Sequence, residues 1–168
     1  MIVVSDTSPI TNLAAIAQLD LLQQLYTSLI IPTAVYNEMV EVDKVVPGAV
    51  EVQTLSWIET QAVADAQRVT DLQTSQENID LGEAEAIILA VEMKAELLLM
   101  DERRGRALAT SYGLSVTGLL GVLLQAKRNG LISAVKPLMD ELIERVDFRV
   151  SSQLYTTILQ SNLRSHNL

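Results

Sequence analysis

Cysteine is absent from these 168 residues, and there is one histidine, His166, close to the end of the chain. No disulfide framework and no thiolate metal site is therefore available. His166 lies in a tail, 165–168, expected to fray, and is not read as a catalytic base. Aromatic residues make up 4% of the chain, too few to advertise base-stacking recognition of RNA. Trp57, Phe148 and the four tyrosines are assigned instead to core or interface. Basic residues are also short: 12 Lys and Arg against 21 Asp and Glu give a net charge of −9. That balance argues against strong, sequence-independent DNA binding and leaves room for a short encounter with a single strand. No uncharged apolar run approaches the roughly 18 residues of a membrane span. Met1 leads into a strand-like run without the basic start and cleavage site of a signal peptide, so the expected location is cytoplasmic. Neither Gly82 nor Gly118 lies in a G-x-G-x-x-G or Walker pattern, which gives no support to dinucleotide or ATP cofactors. Repeats, low-complexity tracts and linkers are missing as well, and one domain, 1–168, is expected.

What is present is an apolar chain, 49% by count, long enough to bury an ordinary core. Strand-like runs fall at 2–5, 28–31, 56–60, 96–100 and about 114–117. Helical patterns separate them, over 9–16, 19–26 and from Pro32 to about Val42. An exposed helix followed by a loop fills 61–80. Further helices run from Gly82 to about Lys94, from the Arg-rich stretch after Asp101 to Tyr112, over Leu119–Ala126, and over 133–145 and 151–163. Pro47-Gly48 reads as a break. The alternation predicts an α/β fold with a mostly parallel central sheet covered by helices on both faces.

Four acids are out of place for a solvated surface. Asp6 ends the apolar run Ile2-Val3-Val4, and Asp101 ends Leu97-Leu98-Leu99-Met100. Runs without alternation suit strands buried on both faces, and ligands of open parallel sheets bind beyond the carboxyl ends of such strands. Glu38 shares the helical spacing of Val35, Met39 and Val42, and Glu83 that of Ala86, Ile87 and Ala90. Simpler roles exist for each: either Asp could cap the next helix, and an acid in a first helical turn is favoured by the dipole. Glu85 aligns with Glu92 on the polar side, so Glu83 is preferred, with Glu85 as an outer partner. Two unit charges ~4 Å apart repel by about 4 kcal/mol at an effective dielectric of 20. A gathered set of four would rival the stability of a whole domain unless a cation neutralised it. Oxygen donors without His or Cys favour Mg²⁺ or Mn²⁺ over zinc. Such ions act on phosphates.

The segments around these acids, Val3-Val4-Ser5-Asp6-Thr7-Ser8-Pro9-Ile10, Ile31-Pro32-Thr33-Ala34-Val35-Tyr36-Asn37-Glu38, Leu81-Gly82-Glu83-Ala84-Glu85-Ala86-Ile87 and Leu98-Leu99-Met100-Asp101, resemble the PIN domain family in order and spacing. The run from Asp101 to Arg106, with Gly118-Leu119-Leu120-Gly121-Val122-Leu123-Leu124, is similar to the PIN-like nucleic-acid-binding subfamily, which includes VapC-like toxin ribonucleases. The likeness covers about residues 1–130. It implies a Rossmann-like three-layer α/β/α sandwich in which Asp6, Glu38, Glu83 and Asp101 hold one or two Mg²⁺ or Mn²⁺ ions. It also implies endoribonuclease activity, in which water activated by the metal attacks an RNA phosphodiester and the leaving 3′-oxygen is stabilised by metal. Ser8 matches a position where the family has Ser or Thr near the metal. Single-stranded or structured RNA and a small antitoxin protein are the implied partners, and an apolar content beyond the needs of one small core, with the family's habit of dimerising, points to a homodimer through an apolar helix face. The third acid departs from the Asp common in the family, which keeps Glu83 and Glu85 both open.

Arg103, Arg104 and Arg106 follow directly on Asp101; Arg104 and Arg106 are the candidates for phosphate contact, against a solvated helix start. Two other readings compete with the ribonuclease. One is a catalytically idle PIN-like module that binds RNA or protein. The other is a phosphohydrolase of the haloacid dehalogenase type, which usually needs a second Asp where this chain has Ser8.

Overall fold

Val3, Val4 and Ser5 are all buried, and they form β1 (Val3–Ser5) in the middle of a sheet. On one side β1 pairs with β2 (Leu29–Pro32), which pairs in turn with β3 (Ile58–Gln61). On the other it pairs with β4 (Leu97–Leu99), followed by β5 (Val116–Thr117). All four pairings are parallel, and the order is β3-β2-β1-β4-β5. The structure, a computed structural model, describes residues 1–41 and 43–164; Val42 and the tail with His166 lie outside the described residues.

Ten helices of the described residues complete the chain: α1 (Thr7–Ala15), α2 (Asp20–Tyr26), α3 (Thr33–Met39), α4 (Ala49–Thr54), α5 (Ala66–Ser75), α6 (Leu81–Met93), α7 (Arg103–Ser111), α8 (Leu119–Arg128), α9 (Lys136–Val146) and α10 (Ser152–Arg164). The strands alternate their side chains between two cores, as a pleated backbone requires. Val3, Leu29, Ile31 and Leu99 join residues of α1, α2, α8 and α9 in one cluster. Val4, Leu98 and Met100 join Val69 and Leu72 of α5, Ala86–Ala90 of α6 and Ala109 of α7 in the other. The result is a three-layer α/β/α sandwich with an all-parallel sheet, as the alternation of elements led us to expect.

Two elements differ from expectation. α3 stops at Met39, short of the expected end near Val42, with Val40 as its C-cap and the Val40 N–H donating to the Tyr36 carbonyl. α4 was not foreseen. It starts at Gly48, whose φ of 90° lets the break at Pro47-Gly48 also serve as a helix start, and it buries a single residue, Val52.

The chain leaves β1 towards β2 in one direction and reaches β4 on the other side, so strand order reverses between β1 and β4. A crevice forms at the carboxyl ends of strands at such a point. The Asp6 N–H donates to the Leu99 carbonyl at 3.0 Å, which ties the exit of β1 to the end of β4.

Candidate active site

Asp6 leaves β1 at the entry of α1, and its carboxylate makes no side-chain cap of that helix. It is 7% exposed and faces a cleft of about 470 Å³. Glu38 (α3), Asp80, Glu83 (α6), Asp101 and Glu102 line the same cleft, with Thr7, Ser8, Thr11, Phe148 and Arg149. Glu83 is also 7% exposed; Glu38 and Asp80 are exposed, and Asp101 is half-buried. Gly82 makes the close approach possible. A Cβ there would lie 3.2 Å from Glu38 Oε2, 3.5 Å from Asp80 Oδ1 and 3.6 Å from Asp6 Oδ1, so three carboxylates from three segments surround one point.

Burial pushes the Asp6 carboxyl up to about 7, and the charges of Asp80, Glu83 and Glu38 add to the shift against a lowering Thr7 N–H. Burial likewise brings Glu83 up to about 7, reinforced by Asp80, Glu102 and Glu38 and opposed by the Asp80 N–H. Among the described residues, neither acid has an ion-pair partner; the salt bridges of Lys44 with Glu41 and of Lys136 with Asp140 lie elsewhere on the surface. Asp101 is held differently. Its Oδ1 accepts the Leu119 N–H at 2.7 Å and its Oδ2 accepts the Ser8 hydroxyl at 3.2 Å. Burial raises its pKa, while those two bonds and the charge of Arg106 oppose the rise. Glu38 Oε2 accepts the Thr7 hydroxyl at 2.9 Å.

The four acids singled out in the sequence thus face one space, although α3, α6 and the ends of β1 and β4 supply them separately. Ser8 touches Asp101 and also accepts from Asn12 Nδ2 at 3.3 Å. Glu85 lies apart from the cleft, and its Oε1 accepts the Ala34 N–H at 3.2 Å at the start of α3. That bond gives it a capping role in place of the outer-partner role expected of it. Arg104 corrects another expectation. It is exposed among Gln76, Glu77 and Ser111 in a separate depression, too far round α7 to line the cleft. Arg106 stands beside Asp101, with both side chains converging on Gly118: a Cβ at that glycine would be 2.5 Å from Arg106 Nη1 and 2.8 Å from Asp101 Oδ1.

Six residues lining the cleft, Thr7, Thr11, Asp80, Glu102, Phe148 and Arg149, have no site role in the sequence reading. Asp80 closes the loop expected before α6, yet Asp80-x-x-Glu83 is a capping box: Glu83 N–H donates to Asp80 Oδ1 at 2.8 Å and Asp80 N–H to Glu83 Oε2 at 3.2 Å. The spacing of Asp and Glu ahead of an apolar helix carried that signal. Phe148 and Arg149 come from the connection between α9 and α10 and carried no signal of their own.

The donors are carboxylate oxygens, buried in part and without a salt bridge among the described residues, although the charge of Arg106 acts on Asp101; such oxygens suit a hard divalent cation. Metal–oxygen bonds in such sites run to about 2.0–2.6 Å. Among the described residues, no three acids are already drawn together at ligand spacing. The residues thus suit the ion by the chemistry of their donors, while their spacing as it stands would have to close for three of them to reach one ion.

Two comparisons with known proteins bear on the fold and the family. A solved structure, a PilT N-terminus domain protein, SSO1118, from the hyperthermophilic archaeon Sulfolobus solfataricus P2, superposes with a TM-score of 0.52 at 16% identity, over 86% of this chain and 95% of that one. At that identity the likeness speaks for the fold. No curated protein matches the chain. The family model DUF3368, a PIN domain, matches residues 2–163. The chain belongs to the PIN domain family, whose members are generally nucleases.

Proposed function

We propose that this chain is a metal-dependent endoribonuclease that hydrolyses RNA phosphodiester bonds, with Mg²⁺ or Mn²⁺ held by Asp6, Glu38, Glu83 and Asp101. One observation carries the reading: acids from separate elements face a single cleft at the strand-order reversal, two of them buried without a cation. When bound, such an ion supplies charge neutralisation at the phosphodiester and a more acidic water. The chain's own residues do the rest. Asp6 and Glu83, whose protons are held up to about 7, would hold the ion in their deprotonated form. The Leu119 N–H and Ser8 fix the direction of the Asp101 carboxylate. Thr7 steers Glu38 towards Asp6 and Gly82.

Calorimetric titration with Mn²⁺ and cleavage of a labelled single-stranded RNA test this together. Asp6→Asn is expected to abolish the binding heat and to slow cleavage by about 10²-fold or more. Cutting by that variant at the wild-type rate would remove the assignment. The idle, binding-only module is favoured by one feature: both oxygens of Asp101 are already satisfied by protein donors. A silent titration would select it. For partners, the proposal extends to a small antitoxin protein and to a homodimer in the cytoplasm. Sedimentation showing monomer at micromolar concentration would count against the dimer.

A further inference from the structure

Beside the acid cleft lies a second cavity of about 500 Å³, and the two share Asp101, Phe148 and Arg149 along their common border. The second is different in character. Its floor is apolar, built from Leu120 and Leu124 of α8 and Leu154 and Ile158 of α10, and its rim carries Arg106 and Arg149. Arg149 is exposed and has no ion-pair partner among the described residues. Arg106 is half-buried, with its guanidinium at Gly118 beside Asp101. Two cations flank the acids of a chain whose net charge is −9. Phe148 is half-buried, packed on the larger core from below and open to both cavities.

From this border we infer that the second cavity is a nucleotide subsite for single-stranded RNA. Phe148 and the apolar floor take the base next to the bond at the acid cleft, and Arg106 and Arg149 hold the flanking phosphates. This rests on the ribonuclease reading for the direction of the strand, and not for the existence of the subsite. A cavity of this size is within the ~300–1,000 Å³ of small-ligand sites. An aromatic ring paired with guanidinium groups is the usual means of holding an unpaired nucleotide without reading its sequence. Guanidinium groups suit phosphate better than a point charge does. A protein segment could use the apolar floor, but Arg149, with no ion pair among the described residues, and Arg106 on the same rim favour a polyanion.

The test measures the affinity of a short fluorescein-labelled single-stranded RNA by anisotropy, in Mg²⁺ and in an Asp6→Asn background so that the strand stays whole. Added to that background, Arg149→Ala is expected to raise Kd about tenfold and to flatten its dependence on salt. Phe148→Leu should raise Kd about tenfold with the salt dependence unchanged, and Phe148→Trp should restore it. In the otherwise wild-type chain, the same changes should raise KM for cleavage more than they lower kcat. Since Arg149 is exposed, its removal leaves folding intact and the outcome readable. Unchanged Kd in the Arg149 and Phe148 variants overturns the subsite even if the protein cuts RNA, and so does failure of the parent to bind the strand. If the wild-type chain binds RNA through these residues but does not cut it, the nuclease reading falls and the subsite stands.

Discussion

At the scale of single residues, the cleft is a place where ionisation opposes folding. Asp6 and Glu83 have folded-state pKa values raised to about 7 from 3.8 and 4.5, mainly by burial. Below about pH 4 both are protonated folded or unfolded, and their contribution to stability is complete. As pH rises towards 7 the unfolded chain sheds these protons while the folded one retains them, so stability is lost through this window and then levels off. The melting temperature of the metal-free protein should accordingly fall between about pH 4 and 7. Asp6→Asn should make that fall shallower and raise stability at pH 8, by on the order of a few kcal/mol. Parallel curves for variant and wild type would show that Asp6 is not so buried. Asp80 separates charge from capping. Asp80→Asn keeps an oxygen for the Glu83 N–H while removing a charge that raises both neighbours, so the descent should shift to lower pH. Asp80→Ala should cost about 1 kcal/mol besides.

Among the elements, α6 decides which glutamate serves the cleft. Glu83 was favoured over Glu85 from its alignment with Ala86, Ile87 and Ala90, and periodicity could say this much because α6 is a long, regular helix. The bond from Ala34 to Glu85 joins residues 51 apart in sequence, and no local pattern encodes such a contact. Glu85→Ala should therefore lower the melting temperature, by about 1 kcal/mol of stability, with the proposed Mn²⁺ binding intact. Glu83→Gln should do the reverse. Equal loss of ion binding in both would reopen the choice. β1, β2 and β4 are legible because each lies in an apolar run that is largely buried, whereas β3 buries only Ile58 and β5 is two half-buried residues. α4 is not legible, since Val52 is its one buried residue and leaves no stripe to read. Glu38 is a partial case: its alignment with Val35 and Met39 pointed inward, and the structure turns it to the cleft while keeping it exposed. Phe148 and Arg149 depend on how the α9–α10 connection lies against the sheet ends, which tertiary packing alone determines.

For the molecule as a whole, the acid cleft and the net charge of −9 work in one direction: both favour uptake of a counter-cation. A ligand that binds the folded chain stabilises it according to its free concentration over Kd. Protons compete for Asp6 and Glu83, so millimolar Mn²⁺ should raise the melting temperature strongly at pH 8 and little at pH 5. A rise of equal size at both pH values would place the ion somewhere other than the cleft. No helix of the described residues is long and apolar enough to cross a membrane, and the apolar residues are gathered into two cores, one on each face of the sheet.

The reciprocal clasp between Asp80 and Glu83 has an evolutionary corollary. The same two side chains that begin α6 also set the negative potential where strand order reverses. Descendants that abandoned chemistry would still be selected to retain both acids, because folding asks for them. Persistence of this pair among relatives is therefore poor testimony to catalysis, whereas persistence of Asp6, whose carboxylate makes no cap hydrogen bond to α1, would be better testimony.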